Sequence, residues 1–564
     1  MILQNEMTQE LRRVYGVVFV GLLALQLITY SYFFTSLIFT NHTFPNSWLF
    51  PYPSYKTQGE GRWVADLIIW LQGGSGVQPF QMAIAVALQS LNGILFARFV
   101  GLEKRLEVFL AAAFLCLYPA FLDYYSFAMD HITLVIGDTF TLLGICYWKR
   151  MGHSARNAAV SGLLFVLALA CYQPKIGLIG LLCVTYLALW LATNDKSKVF
   201  SLRQLLRETA YVASVFIGAC LAYFLSTKLT ITYNVGGRAY INSIPEMLAS
   251  ALAAQGEFFR YFTVGTDYLP RLLRVLPALG IALGCLALLQ RARRKHWAAV
   301  IIVAILLLLI PVTLRASYIV NKNSWENAGR ITFANGYALL FFLSCALQAV
   351  RMRYLAAGIL TTCVYFFLVL GTQESSTAAL KTIYDLNMIN RIASRIESVV
   401  ADLYQNRYPL VVVGHYPEFE RSRYVRTPNR NNAPHVESFA FEAYRQPEIL
   451  NYFFGQEILL RPTPVQLEKA LSSVEGRRPW PARESVYLVD NVIMVILERY
   501  GPGMPTTSDT RPMKLAGPTV RQRKPATTVV SSDCAGRTAD VAATAPAASM
   551  TNREGIMGRS AIGY

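Results

Sequence analysis

Charge is scarce along most of this chain: only 15% of its 564 residues are Asp, Glu, Lys or Arg, against roughly 25% in an ordinary soluble domain. Histidine is scarcer still. The six histidines, at positions 42, 131, 153, 296, 415 and 435, have no ligand spacing, and no structural metal is expected. Of the nine cysteines, Cys116, Cys146, Cys171, Cys183, Cys220, Cys285, Cys345 and Cys363 fall inside apolar runs and only Cys534 lies in a polar tail. That placement indicates neither a disulfide framework nor a thiolate metal site. Internal repeats are also missing, which leaves an inverted-repeat transporter without support. The formal charge of +18 would suggest a nucleic-acid partner in a soluble protein. Here much of the basic excess sits in short loops between apolar stretches, where membrane topology accounts for it and nucleic acid is not expected.

What the chain has in abundance is apolar sequence, 54% of residues with a mean hydropathy of +0.36. Between Val14 and Gly371 run about eleven apolar stretches, each near the roughly 20 residues a helix needs to cross a bilayer. The first is too long for a signal-peptide core and lacks a clean small-residue cleavage site, so it reads as an uncleaved anchor. Alternate loops carry Arg12-Arg13, Arg98 with Lys104-Arg105, Lys149-Arg150 with Arg156, Lys196 and Lys198 with Arg203 and Arg207, Arg291 through Lys295, and Arg351 with Arg353. These are predicted to be cytoplasmic. The intervening loops, near residues 40–76, 121–130, 173–176, 228–271 and 314–330, are richer in Trp, Tyr, Asn and Pro and are predicted to face outward. An odd number of crossings puts the N-terminus in the cytoplasm and the polar C-terminal third outside. In a bacterium with two membranes, that is a multi-pass inner-membrane protein with a periplasmic C-terminus.

Beyond Gly371 the pattern changes. Ser375 to Gln405 has helical spacing, Tyr408 to Gly414 reads as a short apolar strand, Pro464 to Ser473 as a helix, and Ser485 to Leu497 as two strands about Asp490-Asn491. The expected organisation is a transmembrane domain over 1–371, a small periplasmic α/β domain over 372–500, and a disordered tail over 501–564 that is rich in Pro, Thr, Ala, Ser and Gly.

Polar residues kept at helix ends narrow the search for function, because they are costly there. In the first outer loop, Gly-Glu60-Gly-Arg62 beside Trp63 and Asp66 sets two carboxylates and a guanidinium at the membrane surface. Such a trio could bind phosphate through Arg62 while an acid takes a proton from a hydroxyl, or could be a surface turn with a local Glu–Arg pair. The second cluster, Pro119 to Ile132, holds Asp123, Asp130 and His131, with Asp138 about two turns deeper and open to a hydrogen bond with a neighbouring helix. The third, Cys171-Tyr-Gln-Pro-Lys-Ile176, places Gln173 and Lys175 in a tight link facing outward, where Lys175 would meet an anionic group or snorkel. A fourth outer loop carries Arg315, Lys322, Asn323, Trp325, Glu326, Asn327 and Arg330, a mix suited to carbohydrate and phosphate.

The order of Gly61-Arg-Trp-Val-Ala-Asp-Leu67, Tyr118-Pro-Ala-Phe-Leu-Asp-Tyr-Tyr-Ser-Phe-Ala-Met-Asp130 and Ala170-Cys-Tyr-Gln-Pro174 resembles the O-antigen-modifying glucosyltransferases of the GtrII type. Ile383-Tyr-Asp-Leu, Ile392-Ala-Ser-Arg-Ile396 and Pro409-Leu-Val-Val-Val-Gly414 resemble that family's outer domain, so the likeness spans roughly residues 14 to 500. It implies an all-α polytopic membrane fold of the GT-C kind. It also implies transfer of glucose or another hexose from a polyprenyl-phosphate carrier to lipopolysaccharide O-antigen or a related glycan acceptor in the periplasm. The implied partners are therefore the lipid bilayer, the lipid-linked donor and the glycan acceptor. No cofactor is implied, a divalent cation being the one left open. One departure is clear: where the family carries an Asp-Asp pair in the first loop, this chain has Asn46-Ser47. Glu60, Asp66 and Asp130 match acidic positions of the family and are the candidate catalytic acids, with His42 as a further choice. Arg62, with Lys175 or Arg330, is the candidate for the donor phosphate, and Asp123, His131 and Gln173 are candidates for substrate binding. The competing expectation is a flippase for lipid-linked sugars, with a polar path leading from Asp138 to the Arg291 loop.

Overall fold

Apolar runs of this length can satisfy their backbone hydrogen bonds inside a bilayer only as helices. The computed structural model of the chain is built of them. It describes residues 2–36, 38–39, 52–72, 78–127, 130–151, 154–193, 201–232, 242–263, 269–320, 332–414 and 446–499. Among these residues, seven helices are long and apolar enough to cross a membrane: Pro79–Phe99, His131–Lys149, Lys175–Thr193, Leu202–Thr230, Arg271–Arg293, Trp297–Leu314 and Arg353–Val399. Arg105–Leu117 and Ala120–Ser126 form an eighth candidate, broken by a 57° bend. The bend falls at Tyr118-Pro119, where the proline ring removes a donor and pushes the preceding residue out of the helical region. Tyr15–Thr29, Ala155–Cys171 and Ala334–Leu347 are apolar but shorter. Among the described residues seven helices, or eight with the bent pair, thus pass on length and composition where about eleven crossings were expected, the other apolar stretches being shorter.

Between helices that all present apolar surface, association depends on close backbone approach. Helix Val275–Arg293 meets helix Ala334–Leu347 so closely that a Cβ on Gly284 would lie 2.3 Å from the Phe342 carbonyl oxygen. Gly93 plays the same part against Ala112, whose Cα a Cβ would approach to 2.9 Å. Basic and amide side chains hold carbonyls at helix C-terminal ends. Lys149 donates to the Phe99 carbonyl at 2.6 Å, Gln348 to that of Val100 at 2.7 Å, and Arg291 to that of Cys345 at 3.3 Å. A cation at a helix C-terminus is favoured by the helix dipole as well as by the hydrogen bond. Arg353 adds an ion pair with Glu107.

The last apolar helix does not stop at Gly371. Arg353–Val399 is one helix of 47 residues, roughly 70 Å long at 1.5 Å per residue. Its second half inserts Met388, Ile389, Ile392 and Ile396 into a separate core with Leu410, Val412, Ile493 and Val495. These strand residues belong to a four-stranded sheet of β1 (Tyr408–Val413), β2 (Leu459–Leu460), β3 (Val486–Val489) and β4 (Val492–Ile496), in the order β2-β1-β4-β3. β1 is parallel to both neighbours, while β3 and β4 form an antiparallel hairpin. Asp490 and Asn491 turn that hairpin with φ of 46° and 59°, the left-handed pair that matches the twist of adjoining strands. Helix Pro464–Ser472 starts with Pro at its first position and a capping box between Thr463 and Gln466. The expected tail over 501–564 lies outside the described residues.

Candidate active site

The loop over residues 54–66 folds around one carboxylate. Asp66, in the first turn of helix Trp63–Leu71, accepts from the Ser54 amide, the Ser54 hydroxyl and the Thr57 hydroxyl, each at 2.6 Å. These bonds close residues 54–66 into a compact loop, since a buried acid that gains three donors holds whatever supplies them. Gly61 has φ of +71°, and a Cβ there would lie 2.8 Å from the Thr227 methyl, so the loop passes directly against helix Leu202–Thr230. Tyr223 donates to the Gly61 carbonyl at 3.3 Å, and the Trp63 indole to the Ser226 hydroxyl at 3.2 Å.

Two carboxylate–cation pairs result. The Lys56 ammonium binds the Asp130 carboxylate, with side-chain exposures of 3% and 18%. The Arg62 guanidinium pairs with Glu60 at 3.1 Å, its Nε donates to the Gln173 side-chain oxygen at 2.7 Å, and it lies 4.7 Å from the centre of the Tyr172 ring. Gln173 also donates to the Glu60 carbonyl. Glu60, Arg62, Gln173, Lys56 and Asp130 are thus joined through a single loop, and the local Glu–Arg pair is present.

Other candidates are placed differently. Asp66 is spent on holding the loop. Asp123, on the short helix Ala120–Ser126, is buried. His131 is buried beside Asp130, and neither ring nitrogen has a hydrogen-bond partner among the described residues. Lys175, expected to face outward, turns inward instead. It is fully buried and pairs with Asp138 at 2.5 Å, the opposite charge that a buried ammonium requires when it does not reach the surface. Asp138 accordingly has a cationic partner and not only a hydrogen bond. Arg315 pairs with Glu257 at 3.4 Å. His42, Asn46-Ser47, Arg330 and the rest of the 321–331 loop lie outside the described residues.

Sequence reasoning overlooked Lys56. The available signal was a lone lysine in a loop predicted to face outward and otherwise poor in basic residues. Ser54, Thr57 and Tyr124 were overlooked too, and short polar side chains of that kind give no pattern at all.

The fold and this cluster define a polytopic membrane protein whose carboxylates and cations converge on one loop at the end of a helical bundle. The chain belongs to the Glucosyl transferase GtrII family, whose model matches residues 50–387. That span takes in the whole 54–66 loop, Asp130, the 172–175 turn and more than half of the long helix, and it makes the protein a glycosyltransferase. No curated protein and no solved structure matches the chain.

Proposed function

We propose that this glycosyltransferase moves glucose, or another hexose, from a polyprenyl-phosphate carrier to lipopolysaccharide O-antigen or a related surface glycan at the periplasmic face of the inner membrane. The observation that carries this reading is the gathering of Lys56–Asp130 and Arg62–Glu60 on one loop at one end of an apolar bundle. Soluble nucleotide sugars are absent from the periplasm, so a donor used there arrives on a lipid. In the step proposed, the acceptor hydroxyl oxygen bonds to the sugar C1 and the C1–O bond to the lipid phosphate breaks with its electron pair. Asp130 or Glu60 takes the hydroxyl proton, and Arg62 with Lys56 receives the phosphate charge. Asp123, His131 and Gln173 are proposed to contribute to substrate binding. Residues 372–500 are proposed to stand in the periplasm as a distinct α/β domain.

The flippase alternative expects polar groups leading from Asp138 to the Arg291 loop. Asp138 is closed instead by Lys175, and Arg291 is engaged by Gln348 at 3.0 Å and by the Cys345 carbonyl. The deciding experiment supplies purified protein in lipid with polyprenyl-phosphate glucose and an acceptor glycan. Sugar should pass to the glycan, and movement of the lipid-linked sugar across the bilayer without transfer would overturn the reading.

A further inference from the structure

The Asp138–Lys175 pair lies where three site-bearing segments meet. Asp138 belongs to helix His131–Met151, which follows directly on Asp130. Lys175 opens helix Lys175–Thr193, two residues after Gln173. Its ammonium donates to the Tyr124 hydroxyl at 2.7 Å, on the short helix of Asp123, and lies 4.1 Å from the centre of the Phe333 ring, beyond the 321–331 loop. Both charged side chains are fully buried, with the Tyr337 hydroxyl beside the carboxylate. Gly137 makes room for the lysine stem, since a Cβ there would come within 3.0 Å of Lys175 Cε.

An ion pair so deeply buried adds little to stability over an apolar pair of equal volume, so stability alone does not account for it. Its geometric consequence is more specific. Lys175 is bonded to the Tyr172 carbonyl through its amide at 3.0 Å, so anchoring its side chain orients the whole 172–175 turn. Gln173 on that turn then holds both the Arg62 guanidinium and the Glu60 carbonyl. We infer that Asp138 and Lys175 are positioning residues for glycosyl transfer, a buried pin that ties the Gln173 turn, and through it Glu60 and Arg62, to the short helix of Tyr124. This rests on the site proposed above. It removes Lys175 from the residues that would touch the donor.

The test uses the full chain in lipid and the double variant Asp138→Leu/Lys175→Met, which replaces the pair by apolar side chains and avoids the lone buried charge of either single change. Thermal unfolding should stay close to wild type and kcat for transfer should fall tenfold or more, with donor KM rising as well because Arg62 is among the groups displaced. Hydrogen exchange at the amides of residues 54–66 should quicken at least tenfold. Recovery of wild-type kcat with wild-type stability would overturn the inference and leave the pair a packing feature. A tenfold rise in donor KM with kcat and loop exchange both unchanged would also overturn it, making Lys175 a donor ligand. Unchanged exchange in the 54–66 loop overturns it whatever the activity, so this readout stands even if the wild-type protein uses a different donor.

Discussion

Lys56 binds Asp130 across 74 residues of sequence, and the lysine is the more deeply buried of the two. This pair joins the 54–66 loop to the start of helix His131–Met151 and places an ammonium beside a candidate base. Lys56→Met leaves a half-buried carboxylate without its cation. We expect a loss of roughly 2–4 kcal/mol in stability, read as a lower unfolding midpoint in detergent, together with weaker donor binding. A variant with wild-type stability would show that the pair is idle.

Asp130→Asn and Glu60→Gln separate the two candidate bases. Loss of the proton acceptor should lower kcat by about 10²–10⁴-fold in one of them, while the other changes chiefly KM. Normal transfer by both variants would remove the base assignment.

Asp66→Asn tests a different role. Its carboxylate accepts three short hydrogen bonds within the loop and lies buried. The expected cost is about 1–3 kcal/mol of stability, with the shape of the pH–rate profile unchanged. A displaced pH optimum would instead put Asp66 in the chemistry.

Arg62 holds Glu60, Gln173 and the face of Tyr172 at once. Arg62→Lys keeps the charge but loses the planar fork and the stacking, and a donor KM about tenfold higher is expected, equivalent to ~1.4 kcal/mol. Equal KM values for Arg62 and Lys at this position would argue against phosphate recognition there.

Gly284→Ala probes how closely helices Val275–Arg293 and Ala334–Leu347 approach. The added methyl would sit 2.3 Å from the Phe342 carbonyl oxygen, whereas one at Gly218 meets nothing within 4 Å. Overpacking should destabilise the first variant by about 1–3 kcal/mol and leave the second near wild type, as compared by thermal unfolding.

Much of the architecture was legible from local pattern. The Asp490-Asn491 turn, the strand at Tyr408–Val413 and the helix at Pro464–Ser472 lie where turn chemistry, apolar runs and capping residues place them. The continuity of Arg353–Val399 was harder to see. Its face turns from membrane-like to amphipathic near Gly371, yet the backbone needs no break, because a helix satisfies its own hydrogen bonds in lipid and in water alike. Short spans such as Ala155–Cys171 and the bend after Leu117 depend on how neighbouring helices pack, which apolar length does not encode.

For the site, the sequence by itself determined that ionisable groups stand near the ends of apolar helices, since hydrophobicity and the cost of charge in lipid are properties of each segment. Only the tertiary structure decided their partners: Asp130 with Lys56, Glu60 with Arg62, and Asp138 with Lys175, the lysine turned inward. Hydropathy is summed along the chain, but a charge pair forms across space. Which acid meets which cation is set by helix packing and by a loop folded around Asp66.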